Sequence, residues 1–213
     1  MWRLFLLFLP MAAEACDRPV CAVGTETVAF ARIVTFDDQA SGFGPGRPAP
    51  DVIRMDGVSF GEHFAGQTLE RVDNFDRVTG RAMVPLTIRP GETSQNLAII
   101  RLPDTNVLSG YGPTGYPNHS ATGEGAIAVM FDEGQPGLGF DLRGGEGGFA
   151  TVVFLNREGD VIDTHIVGPL AEISYAFRRQ GDQRDIAGVV ITNEDPDGIA
   201  LDQVAFEAFE QIS

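Results

Sequence analysis

The stretch FATVVFLNREGDVIDTHIV, residues 149–167, decides the fold class. Its two flanking runs, FATVVFL (149–155) and VIDTHIV (161–167), are rich in β-branched and aromatic side chains, which suit a pleated, half-buried surface. Between them lies NREGD (156–160), whose Gly159 can take the positive φ that a tight reversal requires. The unit reads as a β-hairpin, and the rest of the chain repeats its grammar of short β-like runs separated by turn residues.

Working outward, the runs are 26–36 (ETVAFARIVTF), 52–60, 83–88, 96–102, 126–131, 138–142, 173–178, 186–192 and 201–209. Asp56-Gly57, Glu158-Gly159, Gly181-Asp182 and Asp195-Pro196-Asp197-Gly198 punctuate them. About eleven short strands at this spacing predict one all-β domain, a single antiparallel β-sandwich of jelly-roll type over residues 26–213. The 26 Gly and 13 Pro, well above the average usage of about 12% for the two together, go into its turns. Only 62–70 and 170–175 offer weak helical alternatives. Two segments read as loops: ASGFGPGRPAP (40–50) and the long PDTNVLSGYGPTGYPNHSATGE (103–124). No fixed-period repeat is visible, which argues against propellers and solenoids.

Charge narrows the partners. The 213 residues carry 15 basic and 30 acidic side chains, a formal charge of −15, and every basic residue is Arg. A nucleic-acid surface needs clustered cations, and an acidic chain with scattered Arg offers none. Anionic membrane surfaces are disfavoured on the same ground. No stretch is long and apolar enough for a membrane span, which takes about 20 residues.

The first fifteen residues, MWRLFLLFLPMAAEA, combine Arg3, the apolar run 4–9 and the small-x-small site Ala13-Glu14-Ala15, the pattern of a secretory signal peptide. Its removal would take away Trp2, the only tryptophan, and leave Cys16 first, where lipidation is the alternative fate. The expected location is secreted or periplasmic. In such a compartment Cys16 and Cys21 pair into a small disulfide loop that pins the N-terminal segment, residues 16–25.

The opening and closing strands carry a resemblance. Val34-Thr35-Phe36-Asp37-Asp38, Gly57-Val58-Ser59-Phe60 and Ile199-Ala200-Leu201-Asp202-Gln203-Val204-Ala205-Phe206 resemble exported bacterial β-sandwich modules of the PEP-CTERM-associated type, and the last strand resembles the close of MAM-type adhesion domains. Gln203 stands where those endings have a second acid, and the Pro-Glu-Pro sorting tail is absent before Ser213. The residues add a reading of their own. Asp38 ends the first strand on its apolar side and Asp202 begins the last on its apolar side. Antiparallel pairing of the two strands would bring these carboxylates to one rim, where oxygen ligands suit a structural Ca²⁺; the resemblance implies the same. The plainer alternative is that each Asp caps a turn or pairs with an Arg.

Chemistry-bearing patterns are sparse. There is no G-x-S-x-G turn and no E-x-D-x-x-E run, and Gly144-Gly145-Glu146-Gly147-Gly148 lacks the Lys and helix of a phosphate loop. Glu124, Asp132, Glu133, Asp141 and Glu146 form the densest group of acids, the starting point for a glycoside hydrolase reading. Of the three histidines, His165 sits on the Asp163 face opposite Ile162, Thr164 and Ile166, which reads as a solvated position. The reading with most support is a non-catalytic binding module for carbohydrate or another surface component. Tyr111, Tyr116, Asn118 and His119 share the long loop and offer aromatic platforms beside amide and imidazole groups; the alternative is that these tyrosines pack locally. A structural or adhesion module with a protein partner is the second reading.

Overall fold

The computed structural model describes residues 16–210. The expected signal peptide, 1–15, lies outside the described residues. In chain order the strands are β1 (Val20–Val23), β2 (Val28–Thr35), β3 (Arg47–Pro48), β4 (Ile53–Met55), β5 (Val58–Gly61), β6 (His63–Phe64), β7 (Thr68–Val72), β8 (Phe75–Thr79) and β9 (Ile88–Arg89). They continue with β10 (Leu97–Arg101), β11 (Asn106–Gly110), β12 (Ile127–Gln135), β13 (Gly137–Gly144), β14 (Ala150–Leu155), β15 (Val161–Val167), β16 (Ser174–Arg179), β17 (Ile186–Asn193) and β18 (Ile199–Glu210).

Sheet one runs β1-β16-β13-β18-β11-β10-β3, with β2 also pairing β18; sheet two runs β15-β14-β17-β12-β5-β4. Every ladder between these strands is antiparallel. From β11 onward the chain crosses between the sheets at each connection except the β14–β15 hairpin, as a jelly-roll sandwich requires. The sheets meet ring to ring: Phe36 on Phe60 at 5.2 Å, Phe131 on Phe206 at 5.4 Å and Phe154 on Phe177 at 5.1 Å. All six rings are buried, two of the pairs edge-on and Phe131–Phe206 tilted, and aromatic packing of this kind adds to the area that they remove from water.

The expected strand 52–60 is a tight hairpin, β4–β5, turning at Asp56-Gly57, where Gly57 has φ 79°. The run 83–88 contributes only Ile88 to a strand. The segment 62–70, a weak helical alternative in the sequence, instead supplies β6 and most of β7, and β7 pairs with β8 about an Asp73-Asn74 turn. This excursion lies across the outer face of sheet two. Phe64, Ala82, Leu86 and Ile88 pack there on Ala128, Leu155, Ala187 and Val190. Gly188 gives the Phe64 ring its seat, since a Cβ at that position would lie 2.5 Å from Phe64 Cζ. Sheet two is therefore covered on both faces at its centre, which is why AIAVMF and IAGVVI run apolar without alternation.

The N-terminal segment straps one side of the sandwich. Cys16 and Cys21 form the expected disulfide. β1 adds to the β16 edge of sheet one, while Arg18 and Val20 reach β15, the edge of sheet two. His165 is the correction here. It is buried, its Nε2 lies 2.8 Å from Val20 O, and its ring packs on Phe154 and Phe177. The strap turns the Asp163–His165 face inward and leaves Ile166 outside at 74% exposure.

Candidate functional site

The four loop residues do not converge. Tyr111 is wholly buried beside Ala98 and Ala121, so it is a core side chain and not a platform. Its hydroxyl donates to Pro45 O, and burial raises its pKa. The cause is local: 103–124 opens with a true strand, β11, inside sheet one, and Tyr111 continues its Val107–Ser109 face, turned away from the inter-sheet core and covered by Ala121, Tyr116 and the segment at Pro45. Tyr116 stacks edge-on against Tyr111 at 5.5 Å and is half-buried. It lines a groove of about 400 Å³ with Pro48, Pro50, Glu92, Ser94 and Asn96. Asn118 caps a single 3₁₀ turn, accepting from Ser120 N at 3.3 Å. His119 lies beside Gly44, outside that groove.

The rim expected between the first and last strands exists. β2 pairs β18 antiparallel, with Thr35 opposite Gln203. The acid brought towards Asp202 is Asp37, because the chain turns directly after Phe36; Asp38 points into solvent exposure. The Thr105 hydroxyl lies 2.8 Å from Asp202 Oδ1 and 3.1 Å from Asp37 Oδ1. Arg143 Nε donates to Asp202 Oδ2 at 2.8 Å, so an arginine already balances that carboxylate. A calcium ion at this rim would share Asp202 with Arg143.

A concavity of about 580 Å³ lies elsewhere, between the β7–β8 hairpin and the outer face of β14, β15 and β17. Its apolar walls are Phe75, Phe149, Val153 and Ile166, and Arg77, Thr151, Thr192, Asn193 and Glu194 supply polar groups. Phe149 is 54% exposed at its mouth. That volume falls within the roughly 300–1,000 Å³ of small-ligand sites, and an apolar lining with a few polar groups is their usual make-up. Sequence reasoning missed this cleft because it missed its roof. The available signal was TLERV-DN-FDRVT, two β-like runs about an Asp-Asn turn.

Three carboxyl groups near this cleft are buried. Glu62 and Asp76 lie against each other and both have pKa values pushed up, mainly by burial, Glu62 further by the charge of Asp76. Glu124, buried and facing the charges of Asp195 and Asp197, is raised to about 7. Asp76 lines the cleft, whereas Glu62 does not. Among the described residues no three His, Cys, Asp or Glu side chains converge in a metal-binding geometry. Among the described residues no helix is long and apolar enough to cross a membrane.

No protein-family model matches the chain, and no curated protein matches it. Among solved structures it is similar to a family 6 carbohydrate-binding module of Clostridium stercorarium in complex with cellobiose, with 13% identity and a TM-score of 0.30, over 52% of this chain and 80% of that one. It is also similar to a family 28 module specific for non-crystalline cellulose, with 18% identity and a TM-score of 0.27, over 55% and 81% of the two chains. The sandwich assignment itself stands on the strand pairing.

Proposed function

We propose that the chain is an exported, non-catalytic binding module that takes a carbohydrate in the cleft between the β7–β8 hairpin and sheet two. One observation carries the reading: a half-exposed Phe149 ring at the mouth of an open cleft whose walls mix apolar faces with amide, hydroxyl, carboxylate and guanidinium groups. The C–H faces of a sugar stack on an aromatic ring while its hydroxyls need donors and acceptors beside it, and Asn193, Thr192, Thr151, Arg77 and Glu194 are of that kind. Export is supported by the leader-like residues 1–15 and by the Cys16–Cys21 disulfide, which suits an oxidising compartment. The resemblance of the opening and closing strands to exported sandwich modules agrees with it.

The test is a glycan array followed by titration calorimetry with any sugar retained. Phe149→Ala should weaken binding at least tenfold, and Tyr116→Ala, on the other groove, should leave it unchanged. Loss with Tyr116→Ala alone would move the site to that groove. Silence across the array would remove the carbohydrate reading. Release of reducing ends from a bound polysaccharide would make the protein a hydrolase.

A protein partner is the second reading, and a specific feature favours it. Ile166 stands 74% exposed on edge strand β15 and lines the cleft with Phe149, and Val161, 60% exposed, lies at the other end of the same strand. In that case Ile166→Asp would abolish capture of the partner while leaving glycans unbound throughout.

A further inference from the structure

Among the described residues two places leave a buried acid with an unpartnered oxygen: Glu124, whose Oε2 has no hydrogen-bond partner, and the Glu62–Asp76 pair, where two acids meet. Asp195, wholly buried, accepts from the backbone N–H groups of Glu146, Gly148 and Asp197. Asp163 holds Arg18, and Asp202 holds Arg143. Glu62 is also wholly buried, yet neither of its oxygens has a hydrogen-bond partner among the described residues, and Asp76 Oδ2 has none either. The charges that act on Glu62 are those of Asp76 and Glu92, both of its own sign. Asp76 accepts one backbone hydrogen bond, from Ala126, which leaves the two facing carboxylates costly to bury, and the cost is relieved by a proton shared between them or by a cation.

The surroundings favour a cation. Glu62 Oε2 and the backbone carbonyl of Gln95 approach the same point beside Gly91: a Cβ on that glycine would lie 2.1 Å from the first and 2.8 Å from the second. Glycine is thus the residue that lets a carboxylate and a carbonyl oxygen face one space. Access exists as well, since Gly91 and Glu92 line the Tyr116 groove and Asp76 lines the larger cleft on the other side. We propose that Glu62, Asp76 and the Gln95 carbonyl form a buried site for a hard divalent cation, Ca²⁺ by its donor set. Carboxylate and carbonyl oxygens at flexible spacing are calcium's ligands, whereas zinc would call for imidazole or thiolate, and magnesium for a strict octahedron. The ion would tie Asp76, and with it the β7–β8 hairpin, to the segment following β9. The site does not depend on what the cleft binds.

The experiment uses the full mature chain, stripped with a chelator, and Ca²⁺ alone as the probe. Calorimetry and elemental analysis should give one ion per chain. At about a hundred times Kd the melting temperature should rise by about 5 °C or more. Glu62→Gln and Asp76→Asn should each abolish binding and the shift. Glu62→Gln should also melt no lower than the stripped wild type, because it removes one of the two opposed charges; that comparison separates lost ligation from lost folding. Asp202→Asn should keep both binding and shift. Absence of binding at millimolar Ca²⁺ overturns the proposal, and so does binding that survives Glu62→Gln but disappears in Asp202→Asn, which would place the ion at the outer rim.

Discussion

The strap that joins the two sheets invites a quantitative test at Asp163. Its carboxylate accepts from Arg18 Nη2 at 2.6 Å, Val20 N at 3.2 Å and Thr164 N at 2.8 Å. Burial alone would raise its pKa, but the Arg18 and backbone hydrogen bonds outweigh it and hold the carboxyl at about 2 against an ordinary 3.8. By linkage that difference corresponds to roughly 2.5 kcal/mol. Arg18 is half exposed, so screening reduces the expected contribution to about 1–2 kcal/mol. A depressed carboxylate pKa stabilises the fold fully above pH 4 and loses that effect as pH falls towards 2. Urea unfolding of wild type and Asp163→Asn should therefore differ by about 1–2 kcal/mol at pH 7, and the gap should close between pH 4 and pH 2. A gap that stays constant over that range, or no gap at pH 7, would falsify the account of the strap.

Three further outcomes are expected. Phe154→Ala, which empties the contact with Phe177 and His165, should cost about 3–5 kcal/mol in denaturant unfolding; a cost below 1 kcal/mol would contradict the packing described. Gly188→Ala should cost about 1–3 kcal/mol and raise protease sensitivity within 62–90 first, because its methyl meets the Phe64 ring. Tyr111→Phe should cost about 1 kcal/mol by leaving Pro45 O without its donor, and should leave glycan binding unchanged, as a core residue must.

What was legible in the sequence follows from which forces are local. The hairpin 149–167 and its reversal at Gly159, with φ 75°, were readable because alternation and turn chemistry both sit within nineteen residues. The pairing of first and last strands could only be supposed, because Arg32 interrupts the apolar face of the first, and the β2–β18 ladder supplies it. β11 was not legible. Its sequence NVLSG opens on Asn106, a polar residue buried through bonds to the carbonyls of Phe36, Asp37 and Gln39, and closes on Gly110, which is small to admit the Gly125 carbonyl rather than to turn. Both signals depend on partners far along the chain. His165 failed for the same reason: period two placed it opposite Ile166 correctly, but polarity chose the wrong side, since only the strap makes the polar face the inner one. The Glu62–Asp76 pair was hidden because sequence separates its members by fourteen residues and their hairpin was not foreseen.

The pairing of β2 with β18 has a consequence for how the molecule comes into being. β18 is an interior strand, flanked by β13 on one side and by β11 and β2 on the other, and its ladder with β2 joins residues 28–35 to 203–210. The middle of sheet one therefore cannot close until residues 203–210 have been made, however early the β14–β15 hairpin forms. During synthesis β2 and β11 wait with an open ladder, and a nascent chain in that state stays unlocked and open to chaperones. Loss of the last dozen described residues would remove the keystone of a sheet and not a tail.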